Sequence, residues 1–172
     1  MSSNEQRGGT PYLLVPRGRQ GLAPLNFDMT EIYRIEARIS EIRSANPETM
    51  PDLVTDFNIG YLQIGRIISA LQLEHAEAKM AYQEAKSIVL LDKAEGILKD
   101  KGLKSSTDSR EAVVTLDQDV KEAQNRMHAI DACLTLLYNK LTAMEWAYNS
   151  AKKIGDIQSR APSTPLRGGY ER

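Results

Sequence analysis

His75, His128 and Cys133 are the residues of this 172-residue chain best suited to nucleophilic or metal chemistry. They lie far apart, with neither HExxH nor another dense ligand spacing around them. His75, Glu77 and Cys133 can approach one another only if two helices fold together, and a polar residue in a helix–helix seam accounts for His75 more simply. The sequence therefore predicts no catalytic residue, no metal ligand and no cofactor. Cys133 is the only cysteine and sits within an apolar ladder, which predicts a buried thiol in a reducing, cytoplasmic setting. Gly60 and Gly65 have the spacing of a phosphate loop, but Arg66-Ile67 stand where Lys-Ser/Thr is required, and mid-helix amides are already bonded.

The basic residues offer a different chemistry. Arg7-Gly8-Gly9, with Tyr12, Arg17 and Arg19, is matched in character near the other end by Arg167-Gly168-Gly169-Tyr170 with Arg172. Arg-Gly-Gly segments with aromatics hold single-stranded nucleic acid by phosphate pairing and base stacking. A second group, Lys86, Lys93, Lys99, Lys101, Lys104 and Arg110, is interleaved with Asp92, Glu95, Asp100, Asp108 and Glu111. The net charge of −1 excludes a globally attractive field for phosphate. Binding through these residues requires acids and bases to segregate to different faces, and repetition of the basic face in an oligomer.

The elements that must position them are helical. Val113, Leu116, Val120, Ala123, Met127, Ile130, Leu134, Leu137, Leu141, Met144, Tyr148 and Ala151 follow alternating three- and four-residue steps, the seam of a long helix packed on another helix. Phe57, Tyr61, Ile64, Ile68, Leu71, His75, Ala78, Tyr82, Ala85 and Val89 repeat the step upstream of a Gly and Ser/Thr break at 102–109. A short link between two such helices forces an antiparallel hairpin, with His75 roughly opposite Leu134 and Tyr82 opposite His128. Asp28 and Glu31 have capping-box spacing ahead of Ile32, Ile35, Ile39 and Ile42, and Asp108 with Glu111 repeats it. The predicted fold is all-α: helices at 28–45, 48–101 and 108–158, a long coiled-coil-like antiparallel hairpin plus an N-terminal helix. Flexible tails are expected at 1–27 and 161–172, where Gly and Pro interrupt every periodic segment. Gly60, Gly65 and Gly96, inside the second helix, mark a close approach or a bend. No apolar run is long enough for a membrane span.

Residues 76–158 resemble the UvsY-like recombination mediators of tailed bacteriophages. The resemblance is carried by the helix Ala76 to Leu98 closing in Lys-Asp-Lys-Gly, and by Ser109-Arg110-Glu111-Ala112 in the Ser/Thr-rich break. Leu116-Asp117-Gln118-Asp119-Val120-Lys121 then leads into an apolar helix ending in Trp146-Ala147-Tyr148 and Lys152-Lys153-Ile154. It implies a non-enzymatic accessory protein that forms a ring-like homo-oligomer, binds single-stranded DNA and helps load a recombinase onto strands covered by single-strand-binding protein. It also implies a DNA-contacting role for basic residues before the break, here Lys93, Lys99 and Lys101, with Asp92 and Glu95 between them as a departure. Two other readings stand beside it: a virion or scaffold component, and a protein-binding adaptor, both without DNA affinity.

Overall fold

The computed structural model describes residues 11–160. Its element order is β1 (Tyr12–Val15), β2 (Leu25–Asp28), α1 (Thr30–Ala37), a 3-10 turn (Arg38–Arg43), α2 (Met50–Ile88), a π-helical turn (Val89–Lys93), α3 (Ala94–Asp100), α4 (Thr107–Leu116) and α5 (Gln118–Arg160). The fold is all-α in class. α2 and α5 lie side by side as an antiparallel rod, α1 and the 3-10 turn cover one side of it, and a small β-hairpin completes that layer.

Apolar spacing explains the rod. Leu53, Phe57, Ile64, Ile68, Leu71 and Ala78 of α2 meet Ile130, Leu134, Leu137, Met144, Ala147 and Ala151 of α5 in one continuous core. The seam passes through Gly60 rather than Tyr61, which is exposed. Glycine lets α1 and α5 both close on it: a Cβ at Gly60 would lie 3.2 Å from Ile35 Cγ2 and 3.2 Å from Met144 Sδ, so those side chains would have to give by a few tenths of an ångström. Gly65 and Gly96 face open space, so neither marks a close approach. Asp56 on α2 fastens the covering layer by accepting from Arg38, with Arg34 at 3.5 Å, while Lys140 of α5 donates to Glu36 and sits 4.5 Å from the ring centre of Tyr33.

Three boundaries depart from the sequence expectation. The predicted helix at 28–45 is α1 followed by a 3-10 turn; Asp28 Oδ1 accepts from the Thr30 amide, but Glu31 turns to Arg34 instead of closing a capping box. The predicted helix at 108–158 is two helices. Asp117 is extended (ψ 135) and its Oδ1 accepts from the amides of Asp119 and Val120, so it ends α4 and caps α5. Leu116 is thrown outward by this break, and α4 is capped by Ser106 accepting from the Ser109 amide, not by Asp108. Because α4 folds back on the rod, Tyr82 packs with Val89, Val114 and Val120 rather than opposite His128.

The third departure lies in residues 11–27, which were expected to belong to a flexible tail. β1 and β2 pair antiparallel with Tyr12 opposite Asp28 and Val15 opposite Leu25. Leu13, Val15, Leu25 and Phe27 turn inward onto the main core, and Tyr12 and Leu14 face out, the alternation a half-buried strand requires. The connecting loop is held against α2 by Glu74, only 7% exposed, whose Oε2 accepts from the Gly18 amide at 2.8 Å while Oε1 lies 2.7 Å from Arg17 Nε. The predicted tail residues 1–10 and 161–172 lie outside the described residues.

Candidate nucleic-acid interface

The distal end of the rod carries most of the basic residues singled out in the sequence. α2 loses its regular winding in the π turn at Val89–Lys93, resumes as α3, and stops at Gly102, whose φ of +66 is a left-handed cap at the start of the Gly and Ser/Thr break. The Leu103 amide donates to Leu98 O and the Gly102 amide to Lys99 O, the paired bonds of a Schellman end. Residues 103–106 then cross to α4. Val89, Val114 and Val120 form a small core of their own here, with Tyr82, Ala85, Leu90 and Val113 around it.

The structure divides the predicted basic cluster. Lys93, though exposed, reaches Asp117 and Asp119, at 3.4 and 3.3 Å, and its pKa is raised by those two carboxylates. Arg110 donates to Ser105 Oγ at 2.8 Å, with Glu95 at 3.8 Å. Lys86 is half-buried on a cleft of about 160 Å³ with Tyr82, Glu111 and Val120. Lys99, Lys101 and Lys104 remain exposed, and among the described residues no ion pair engages them. They occupy the last turn of α3 and the loop after it, where unbonded carbonyls and the helix dipole favour cations. Lys121, exposed near the start of α5, was missed in the sequence because it falls outside the Lys86–Arg110 run.

The other predicted contacts do not join this group. Arg17 is committed to Glu74, roughly 40 Å of helix from Asp100 at 1.5 Å per residue. Arg19 is exposed beside Arg126, Met80 and Glu84 in a cleft of about 240 Å³ at mid-rod. Arg7 and Arg167 lie outside the described residues. His75 Nε2 meets Asp131 at 3.0 Å across the seam, one turn from the predicted Leu134. Among the described residues, no three His, Cys, Asp or Glu side chains gather as metal ligands. Cys133 is half-buried, and desolvation raises its thiol pKa.

Asp117 gives the rod end a pH dependence. Burial at the break pushes its carboxyl up, but the Val120 amide, the Lys93 ammonium and the Asp119 amide together outweigh this and hold it below the usual carboxylate range. A depressed folded-state pKa contributes stability that is fully present above the unfolded value, about 3.9, and is lost as pH falls through the folded value. Protection factors of α4 amides, corrected for intrinsic exchange, should therefore fall below about pH 4 before those of mid-α5 do. Asp117→Asn should remove most of that difference.

No helix among the described residues is long and apolar enough to cross a membrane. The chain matches no family model, no curated protein and no solved structure.

Proposed function

We propose that the chain is a non-enzymatic phage recombination or replication accessory protein of the host cytoplasm, acting on single-stranded DNA as a homo-oligomer and assisting recombinase loading on strands held by single-strand-binding protein. The observation that carries the DNA contact is the set of exposed lysines, Lys99, Lys101 and Lys104, at the end of the rod, with no carboxylate partner among the described residues. One such end binds phosphate weakly. Several ends held in one assembly bind by avidity, with strong salt dependence. The diffuse resemblance of residues 76–158 to UvsY-like mediators supports the biological setting of this reading.

The test is fluorescence anisotropy of a labelled oligonucleotide titrated with protein across a salt series. If each lysine contacts one phosphate, the triple variant Lys99→Ala, Lys101→Ala, Lys104→Ala should weaken binding and flatten the slope of log K against log salt by about 2, at about 0.7 per contact for single strands. Lys93→Ala should change affinity little, since Lys93 already faces two carboxylates. An unchanged slope in the triple variant removes the rod end from the DNA contact. A virion or scaffold role is favoured instead if the native protein associates with itself yet binds no oligonucleotide at low salt; the exposed apolar edge of α5 supports that second reading.

A further inference from the structure

α5 carries a second apolar seam that the rod does not use. On the side turned away from α2 run Ala129, Ala132, Leu136, Asn139, Ala143, Trp146, Ser150, Lys153 and Ile157, in unbroken alternating steps of three and four. Leu136, Trp146 and Ile157 are exposed, Trp146 by 60%. The stripe extends for roughly 40 Å at 1.5 Å per residue. Beside it, an apolar groove of about 520 Å³ opens between the 3-10 turn and α5, lined by Ile39, Ile42, Arg43, Trp146, Ser150 and Ile154. The outer face of α2 also shows Ile59, Leu62, Leu73, Met80 and Leu91, but Arg66 and Glu84 interrupt it and the spacing is irregular.

We propose that the outer face of α5, from Ala132 to Ile157, pairs with the same face of a second copy running antiparallel. The occupant follows from the order of large and small residues. When two such stripes are aligned head to tail with the two-fold axis between Met144 and Glu145, Ala132 faces Ile157, Ala143 faces Trp146, and Asn139 faces Ser150. Trp146 and Ile157 each then meet an alanine, and Asn139 meets Ser150, where an Asn fixes register. Leu136 is covered by the aliphatic stem of Lys153. A parallel alignment instead sets Trp146 on Trp146 and Lys153 on Lys153, with Ala132 facing Ala132 across a void. A patch complementary to itself under a two-fold axis is the requirement for an isologous contact between copies. The groove beside Ser150 and Ile154 extends the apolar surface available to the second helix.

This inference specifies the self-association in the proposed function but is tested without DNA. In a Cys133→Ser background, mixing Ala132→Cys protein with Ile157→Cys protein under mild oxidation should give disulfide-linked pairs, while neither alone should cross-link. Trp146→Glu, at an exposed position outside the core, should lower the native mass by light scattering at least twofold, keep helicity, and remove the dependence of melting temperature on protein concentration. Ala132→Cys cross-linking to itself overturns the antiparallel register. An oligomer whose mass Trp146→Glu leaves intact, with no mixed cross-link, overturns the seam alone. A single-chain mass for the unaltered protein overturns the seam and the oligomer together, whereas loss of the DNA reading appears only in the anisotropy titration.

Discussion

Phe57→Ala should lower stability by about 3–5 kcal/mol, the range for removing a fully buried aromatic side chain. Phe57 has no exposed surface and lies in the main core where α2 and α5 are overlaid by α1. Truncation removes contacts in a layer that cannot close the gap by moving one helix, because Gly60, one turn along, already holds α1 and α5 at van der Waals distance. For a domain of this size, each kcal/mol shifts the melting temperature by about 2–4 °C. The variant should thus melt some 6–20 °C lower in circular dichroism, as an order of magnitude. A loss below about 1 kcal/mol would mean that the core is loose at its centre.

Gly18→Ala should have the largest effect of any single methyl group added to the chain. A Cβ there would lie 2.4 Å from Glu74 O, 2.7 Å from the Ala78 amide nitrogen and 2.7 Å from Glu77 Cβ, and two of these three are backbone of α2. Neither backbone atom can step aside without breaking helical hydrogen bonds, so the loop must lift instead. Lifting exposes Glu74 and gives up its bonds to the Gly18 amide and Arg17, and a hydrogen bond to a charged group is worth about 1.5–3 kcal/mol net. Limited proteolysis should cut residues 16–24 of the variant while α2 and α5 stay intact, because the rod core does not depend on the loop. Glu74→Gln, which keeps an acceptor for the amide but gives up the ion pair, should show a milder form of the same opening. Equal protease resistance in all three proteins would mean that Glu74 does not hold the loop.

The rod was legible in the sequence because its signal is repeated: most turns of α2 and α5 contribute an apolar residue at the expected step, and Gly102 ends the first arm at the Gly and Ser/Thr break. The β-hairpin was not, for a physical reason. Each strand is four residues long, so its alternation has two periods at most, and Pro16, Gly18, Gly21 and Pro24 between them read as a tail. What fixes the loop between them is Glu74, a residue of a distant helix. Asp117 illustrates a different failure. The apolar ladder continues through Leu116 and Val120 as though unbroken, and only the competition between a side-chain cap and the helical amides stops it.

The candidate site was legible as composition but not as pairing. Six basic residues near the break could be named, yet which of them is free depends on helix phase, and the π turn changes that phase between Lys86 and Lys99 in a way no periodic rule anticipates. Lys93, the last residue of that turn, thereby faces Asp117 and Asp119, while Lys99, Lys101 and Lys104 stay in solvent.

The π turn on one arm and the Asp117 break on the other lie at the same height, where Lys93 ties them across. At that level a three-valine core with a few flanking side chains joins the arms, and beyond it α3 packs against α4, where Arg110 approaches Glu95. The consequence is mechanical: the rod end is joined by a smaller core than the shaft, so it should open first on destabilisation while the shaft keeps its shape. A load applied at the rod end should strain the Lys93 fastening before it strains the body.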